Sequence, residues 1–154
     1  MPSGTLEVVI AEGRCLKDQD TFGKSDAYVE VYLDKKYKQR TTTVSNTNNP
    51  IWNERFNFNI HGGDGTIHFD IYDDDVDHKD PIGKCKVKVK YVVDNGHYDE
   101  WVKLPTTSEL SSHGEIHIIM KFESSHSTRS EKGSSSYLPL ISTCCVANCL
   151  PTAR

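Results

Sequence analysis

The chain has 154 residues and a formal net charge of −4, which is enough length for one domain and a tail. The acidic balance argues against a generally basic nucleic-acid-binding protein, and no run of about 18 apolar residues predicts a transmembrane helix. The first residues lack the charged and apolar segments of a secretion signal, so we expect a cytoplasmic protein.

Apolar residues alternate with other residues through most of the first 123 positions, which is typical of β-strands with one buried face. In chain order, the pattern predicts strands around residues 6–10, 29–33, 36–43, 56–60, 67–71, 87–89, 101–104 and 116–122. Turn signals separate several of them, as in Asn48–Pro50 and Asp94–Gly96. No segment shows a helical period. These features predict an all-β fold, an eight-stranded antiparallel β-sandwich of two four-stranded sheets.

The composition changes near residue 124 and predicts three parts. Residues 1–123 are the β-sandwich, residues 124–136 are a flexible Ser-rich linker, and residues 137–154 are an apolar, Cys-containing tail that we expect to be disordered. The last 31 residues carry three cations and one anion, so the first 123 residues carry a net charge of −6.

The five cysteines fall into two groups. Cys15 and Cys85 stand alone among strand-like residues, and we expect both to pack as small apolar side chains. Cys144, Cys145 and Cys149 cluster in the tail, where S-acylation is one hypothesis and incidental cysteines in a disordered end are the other. Three cysteines without a fourth ligand make a poor structural zinc site.

Acidic residues concentrate in two predicted loops. Asp73, Asp74, Asp75, Asp77 and Asp80 fall within eight residues, and a second acidic loop carries Asp18, Asp20 and Asp26. If both loops lie at the same end of the sandwich, their carboxylates converge. Two carboxylates about 4 Å apart repel by roughly 4 kcal/mol at an effective dielectric constant near 20, so convergence favours either full hydration or a shared cation.

Hard carboxylate oxygens suit Ca²⁺, which accepts six to eight ligands with loose geometry. Mg²⁺ needs a tighter octahedron, and zinc prefers His or Cys ligands. An EF-hand is excluded, because a loop starting at Asp73 has His78 at the sixth position and Lys84 at the twelfth. A solvated acidic loop without a metal is the alternative interpretation.

Three stretches of the chain together resemble the C2 domain family. They are residues 16–29 (LKDQDTFGKSDAYV), residues 49–58 (NPIWNERFNF) and residues 71–83 (IYDDDVDHKDPIG). The resemblance covers about residues 4–123. The strand order resembles the circularly permuted form found in phospholipases and some protein kinase C types, and the length resembles that of small stand-alone C2 proteins.

The resemblance implies a set of calcium ligands and of membrane-inserting residues. Asp20 and Asp26 correspond to the first calcium-binding loop, and Asp73 and Asp75 to the centre of the third loop. The last ligand is Asp80 or Asp77, because the third loop is one residue shorter than in the best-known members. Phe22 and Val76, at the loop tips, are the candidates for insertion into a membrane; folding of Phe22 back onto the sandwich is the alternative.

A second candidate surface is basic. Lys36, Lys38 and Arg40 alternate along one predicted strand, and Lys84, Lys86, Lys88 and Lys90 alternate along another. In some family members a Lys-rich sheet face holds phosphoinositides, and the resemblance extends that expectation to this face. Glu30 on a neighbouring strand weakens the match. The alternative is that the lysines simply solvate the sheet.

The hypothesis from the sequence is calcium-dependent binding to anionic phospholipid membranes, with Ca²⁺ as the cofactor and recruitment from the cytoplasm when calcium rises. The alternative is a calcium-independent adaptor that binds proteins or phosphoinositides through the Lys-rich face. Nucleic acid is not an expected partner. We expect no enzymatic activity, because the sequence has no nucleophile elbow, no paired His ligands and no Gly-rich phosphate loop.

Overall fold

The computed structural model describes residues 2–17, 23–63, 65–106 and 112–125. Several positions predicted above to be functional, namely Asp20, Phe22, Cys144, Cys145 and Cys149, lie outside these residues, as do most of the predicted linker and all of the tail. No helix in the described ranges is long and apolar enough to cross a membrane.

In these described ranges, eight strands and one short helix form the fold, and the strands follow the order expected from the sequence. The elements are β1 (Gly4–Arg14), β2 (Ala27–Tyr32), β3 (Gln39–Arg40), β4 (Ile51–Ile60), β5 (Thr66–Asp74), β6 (Lys79–Lys88), α1 (Val89–Asn95), β7 (His97–Pro105) and β8 (Ser112–Ser124). The prediction of an eight-stranded antiparallel sandwich is confirmed.

The strands form two four-stranded antiparallel sheets. The first sheet has the strand order β4-β1-β8-β7, and the second has the order β3-β2-β5-β6. Alternate side chains of both sheets face inward, as the period of two requires. The core consists mainly of aliphatic residues, with Phe69 and Met120 fully buried between the sheets.

The connections β1–β2, β3–β4 and β5–β6 lie together at one end of the sandwich, here called the loop end. Backbone hydrogen bonds tie the first two together, since the Leu16 N–H donates to the Asn48 carbonyl at 3.0 Å and the Thr47 N–H to the Ser25 carbonyl at 3.1 Å. The Asp74 N–H also donates to the Asp26 carbonyl at 2.9 Å, so the β5–β6 connection lies at the same end. This meets the condition under which the carboxylates of the two connections can converge.

The sequence pattern does not predict the helix α1, which removes Lys90 from the predicted strand. Val89 and Val92 bury one side of the helix at a spacing of three residues, and Gly96 ends it with φ 74° while its N–H donates to the Val92 carbonyl. A helix of seven residues is too short to show its period against the alternating valines before it.

Two further expectations need correction. The predicted strand over residues 36–43 is reduced to Gln39–Arg40, because Asp34 closes a turn through the N–H groups of Lys36 and Tyr37. Lys36 therefore lies in a turn and Lys38 directly precedes β3, so only Arg40 of the three predicted basic residues is in the strand. Cys15 is exposed, with φ 53°, so it does not pack in the core. Cys85 does pack against the core, and burial raises the pKa of its thiol to about 12.

Candidate functional site

Two aspartates that are distant in the chain meet at the loop end, Asp26 directly before β2 and Asp73 near the end of β5. Ala27 of β2 and Asp73 of β5 are partners in the antiparallel register, so Asp26 lies beside Asp73. The Asp26 N–H donates to Asp73 Oδ1 at 2.7 Å, and the Asp74 N–H donates to the Asp26 carbonyl at 2.9 Å. Pairing of β2 with β5 thus holds together two acidic residues that are 47 positions apart.

Asp73 is fully buried, and its Oδ1 is satisfied by the Asp26 N–H. Within the described part of the chain, Oδ2 is buried and has no hydrogen-bond partner. Burying a carboxylate oxygen without a partner costs several kcal/mol by order of magnitude, so the position of this atom suits contact with a cation or a hydrogen-bond donor. The oxygen donors available here suit a hard cation such as Ca²⁺.

The remaining acidic residues of the β5–β6 connection are placed differently from one another. Asp80 is the partner of Asp73 across the β5–β6 ladder and is half-buried, as is Asp75, which directly follows β5. Asp77 is exposed in the loop. Asp80 is thus paired directly with Asp73, whereas Asp77 lies in the loop between β5 and β6.

Asp74 points away from this cluster. Its Oδ2 accepts a hydrogen bond from Thr43 Oγ1 at 2.8 Å and lies 3.6 Å from Arg40 Nη2. The side chain of Asp74 therefore supports the β3–β4 connection.

Among the described residues, no group of three or more His, Cys, Asp or Glu side chains is already close enough to hold a metal ion. Asp26 and Asp73 are joined by a hydrogen bond, Asp80 is the strand partner of Asp73, and Asp75 follows Asp73 by two residues. The predicted ligand Asp20 would have to come from outside the described ranges.

Sequence reasoning missed the residues of the β3–β4 connection that position Asp26. The Asn46 N–H donates to Asp26 Oδ1 at 2.6 Å, and Asn46 itself has φ 57°. Asn48 Oδ1 accepts from the Ser25 N–H at 3.3 Å, and the indole of Trp52 donates to the Ala27 carbonyl at 3.1 Å. The Asn-rich stretch predicts a turn, but asparagine also tolerates a positive φ and its side chain commonly binds backbone groups, and those two signals could have found Asn46 and Asn48.

Val76 lies between Asp75 and Asp77 at the tip of the β5–β6 connection and is fully exposed. Exposure of an apolar side chain to water is unfavourable, so transfer of a valine at the end of a loop into an apolar medium lowers the free energy. The structure therefore leaves Val76 accessible for the membrane contact that the resemblance implies.

The outer face of the second sheet carries most of the predicted basic residues. Lys38 and Arg40 flank β2, and Lys84, Lys86 and Lys88 follow one another on the exposed side of β6. Lys84, Lys86 and Lys88 form no ion pair with any described residue, whereas Lys38 does, with Glu30. The basic face is thus divided into an unpaired row on β6 and a paired side near β3.

Comparison with known proteins matches the chain to the family model described as C2 domain over residues 4–104. Extended synaptotagmin-3 of Mus musculus is 31% identical over 127 residues, covering 79% of this chain and 14% of the relative. The chain thus spans a small part of that protein's length.

The fold has the same architecture as solved C2 structures. A calcium-bound structure of two C2 domains of extended synaptotagmin 2 superposes with a TM-score of 0.72 at 23% identity, over 80% of this chain and 47% of that one. Human GIVD cytosolic phospholipase A2 gives a TM-score of 0.71 at 24% identity, over 81% of this chain but only 17% of the enzyme. The family model and the relatives in sequence agree with the fold: the chain belongs to the C2 domain family.

Proposed function

We propose that this chain is a non-catalytic module that binds anionic phospholipid surfaces through its loop end in a calcium-dependent manner. The observation that supports this most directly is the buried Oδ2 of Asp73, which lies beside Asp26 and is unsatisfied within the described ranges. A carboxylate in that position is costly without a cation, and its described neighbours supply further carboxylates.

The residues of the chain would have different roles in such a site. Asp73 is the buried base, and Asp26 is held beside it by the β2–β5 register and by the Asn46 N–H. Asp26, Asp75 and Asp80 are half-buried, so each is more exposed to solvent than Asp73. Bound calcium would supply positive charge and open coordination positions for lipid phosphate or carboxylate oxygens. Without it, the concentrated negative charge of the loop end repels an anionic surface.

A calcium titration with vesicles tests this function. Calorimetry should detect calcium binding to the protein alone, and phosphatidylserine vesicles should tighten it. The protein should sediment with those vesicles in calcium and be released by a chelator, whereas phosphatidylcholine vesicles serve as the uncharged control. Sedimentation that is the same with and without chelator would contradict the proposal and favour the calcium-independent alternative.

Val76 tests whether the loop tip enters the membrane. Val76→Ala removes two carbons, each contributing about 0.8 kcal/mol when buried, so vesicle affinity should fall by up to about tenfold. Calcium affinity without lipid should not change, because Val76 provides no side-chain oxygen. Tyr37→Ala, which removes an exposed apolar side chain from the opposite end of the sandwich, is the control and should bind vesicles normally. Equal vesicle binding by both variants would exclude insertion of Val76.

A further inference from the structure

Glu30 lies in the middle of the outer face of the second sheet and bridges two lysines. Its Oε2 is 2.9 Å from Lys38 Nζ, and its Oε1 is 3.3 Å from Lys79 Nζ. The side chain of Glu30 is only 12% exposed. Each carboxylate oxygen thus contacts one ammonium group. Two oxygens of a phosphate group would adopt the same arrangement between these lysines.

The titration behaviour of these groups agrees with a strong ion pair. Burial acts to raise the pKa of Glu30, but the hydrogen bonds from Lys38 and Lys79 outweigh it, so the pKa lies below its ordinary value. The hydrogen bond to Glu30 raises the pKa of Lys38. Glu30 is therefore ionised at neutral pH, and Lys38 keeps its charge.

The neighbouring cation is also satisfied within the chain. Arg40, the strand partner of Glu30, places its guanidinium 3.6 Å from the ring centroid of Tyr28 and lies within 3.6 Å of Asp74. On the other side, Asp70 is the strand partner of Glu30 and adds a second carboxylate to the centre of the face. An incoming anion therefore meets two carboxylates here, and the cations that border Glu30 are already paired.

From this arrangement we propose that Glu30 acts as an internal anion that occupies a phosphate-binding position between Lys38 and Lys79, and that it determines which anions this face rejects. The excluded class is the phosphomonoester dianion, on a lipid headgroup or free in solution. A carboxylate tethered on the adjacent strand acts at an effective concentration in the millimolar range or above, so a dilute ligand cannot displace it. Replacing Glu30 by an uncharged residue opens the position.

The inference is independent of the calcium site, because its test is made in chelator. Glu30→Gln keeps the size of the side chain and removes its charge. The probes are phosphatidylcholine vesicles containing phosphatidylinositol bisphosphate, by sedimentation, and soluble inositol trisphosphate, by calorimetry. Glu30→Gln should bind the vesicles at least about tenfold more tightly than the native chain, because two charged donors become available. Binding of both probes assigns recognition to the phosphate group itself, and binding of the vesicles alone assigns it to phosphate at a membrane surface.

Two further variants separate the inference from a general charge effect. Glu123→Gln makes the same change of net charge on the first sheet, where Glu123 pairs with Lys121, and should bind like the native chain. Adding Lys38→Gln to Glu30→Gln should abolish the gain. Circular dichroism melting establishes that each variant is folded.

The proposal is overturned if Glu30→Gln binds no more tightly than Glu123→Gln. It is also overturned if Lys38→Gln in the otherwise native chain lowers binding of the same vesicles by about tenfold, because the face would then already be open. This second measurement does not depend on whether the Glu30 variant folds.

Discussion

Replacing Asp73 with asparagine should lower calcium affinity by about a hundredfold and abolish calcium-dependent sedimentation with phosphatidylserine vesicles. The substitution removes the charge of the buried carboxylate whose Oδ2 has no partner among the described residues, and calcium sites lose affinity as ligand charge is removed. It keeps an oxygen that can accept from the Asp26 N–H. In chelator, the variant should unfold at a temperature no lower than the native chain, because an uncompensated buried charge is lost. Calorimetry and thermal melting measure the two effects.

The adjacent residue provides a matched control. Asp74→Asn makes the same change of charge one position later, but the Asp74 side chain is engaged by Thr43 and Arg40 and points away from the cluster. Asp74→Asn should therefore keep most of the calcium affinity. If both variants lose calcium binding equally, the loop acts as a diffuse acidic surface and the assignment to Asp73 is wrong.

The largest effect on stability should come from the core that fixes the register between β2, β5 and β6. Phe69 is fully buried and is the strand partner of Val31 and Cys85. Phe69→Ala should lower the free energy of unfolding by about 3–5 kcal/mol, because it removes buried apolar surface and leaves a cavity. Denaturant unfolding in chelator measures the loss.

An exposed aromatic residue is the comparison for this substitution. Tyr37 is 76% exposed in the β2–β3 turn, so Tyr37→Ala should change the free energy of unfolding by no more than about 0.5 kcal/mol. Phe69→Leu should lie between the two. A loss for Phe69→Ala as small as that for Tyr37→Ala would show that the two sheets are not packed as described.

The two proposals for this chain make separable predictions. Calcium binding at the loop end depends on Asp73 and should be indifferent to Glu30, whereas phosphate binding on the second sheet depends on Glu30 and is measured without calcium. The groups are nevertheless neighbours in the chain, since Lys79, which pairs with Glu30, directly precedes Asp80. If the two sites act independently, a chain that carries both Asp73→Asn and Glu30→Gln should bind phosphoinositide vesicles in the absence of calcium. Adding calcium should not strengthen this binding.

Much of the architecture was predictable from local pattern. Alternation such as Leu6, Val8 and Ile10 depends only on which face of a strand is buried, and all three residues are fully buried as expected. The acidic loops and the three motifs likewise depend on short stretches of chain. Local pattern failed where an element was too short to show its period, as in α1, and where a side chain replaced strand pairing, as Asp34 does in the turn before β3.

The sequence by itself determined that this chain is an antiparallel sandwich of the C2 type with aspartates concentrated in two connections. Only the tertiary structure decided what each charge faces. Asp73 is buried against the Asp26 N–H while Asp74, the next residue, is paired with Thr43 and Arg40. Glu30 holds two lysines from different parts of the chain, one 8 and the other 49 positions away. These contacts depend on the register between strands that are distant in the chain, and that register follows from packing of the whole core, which no short stretch of residues encodes.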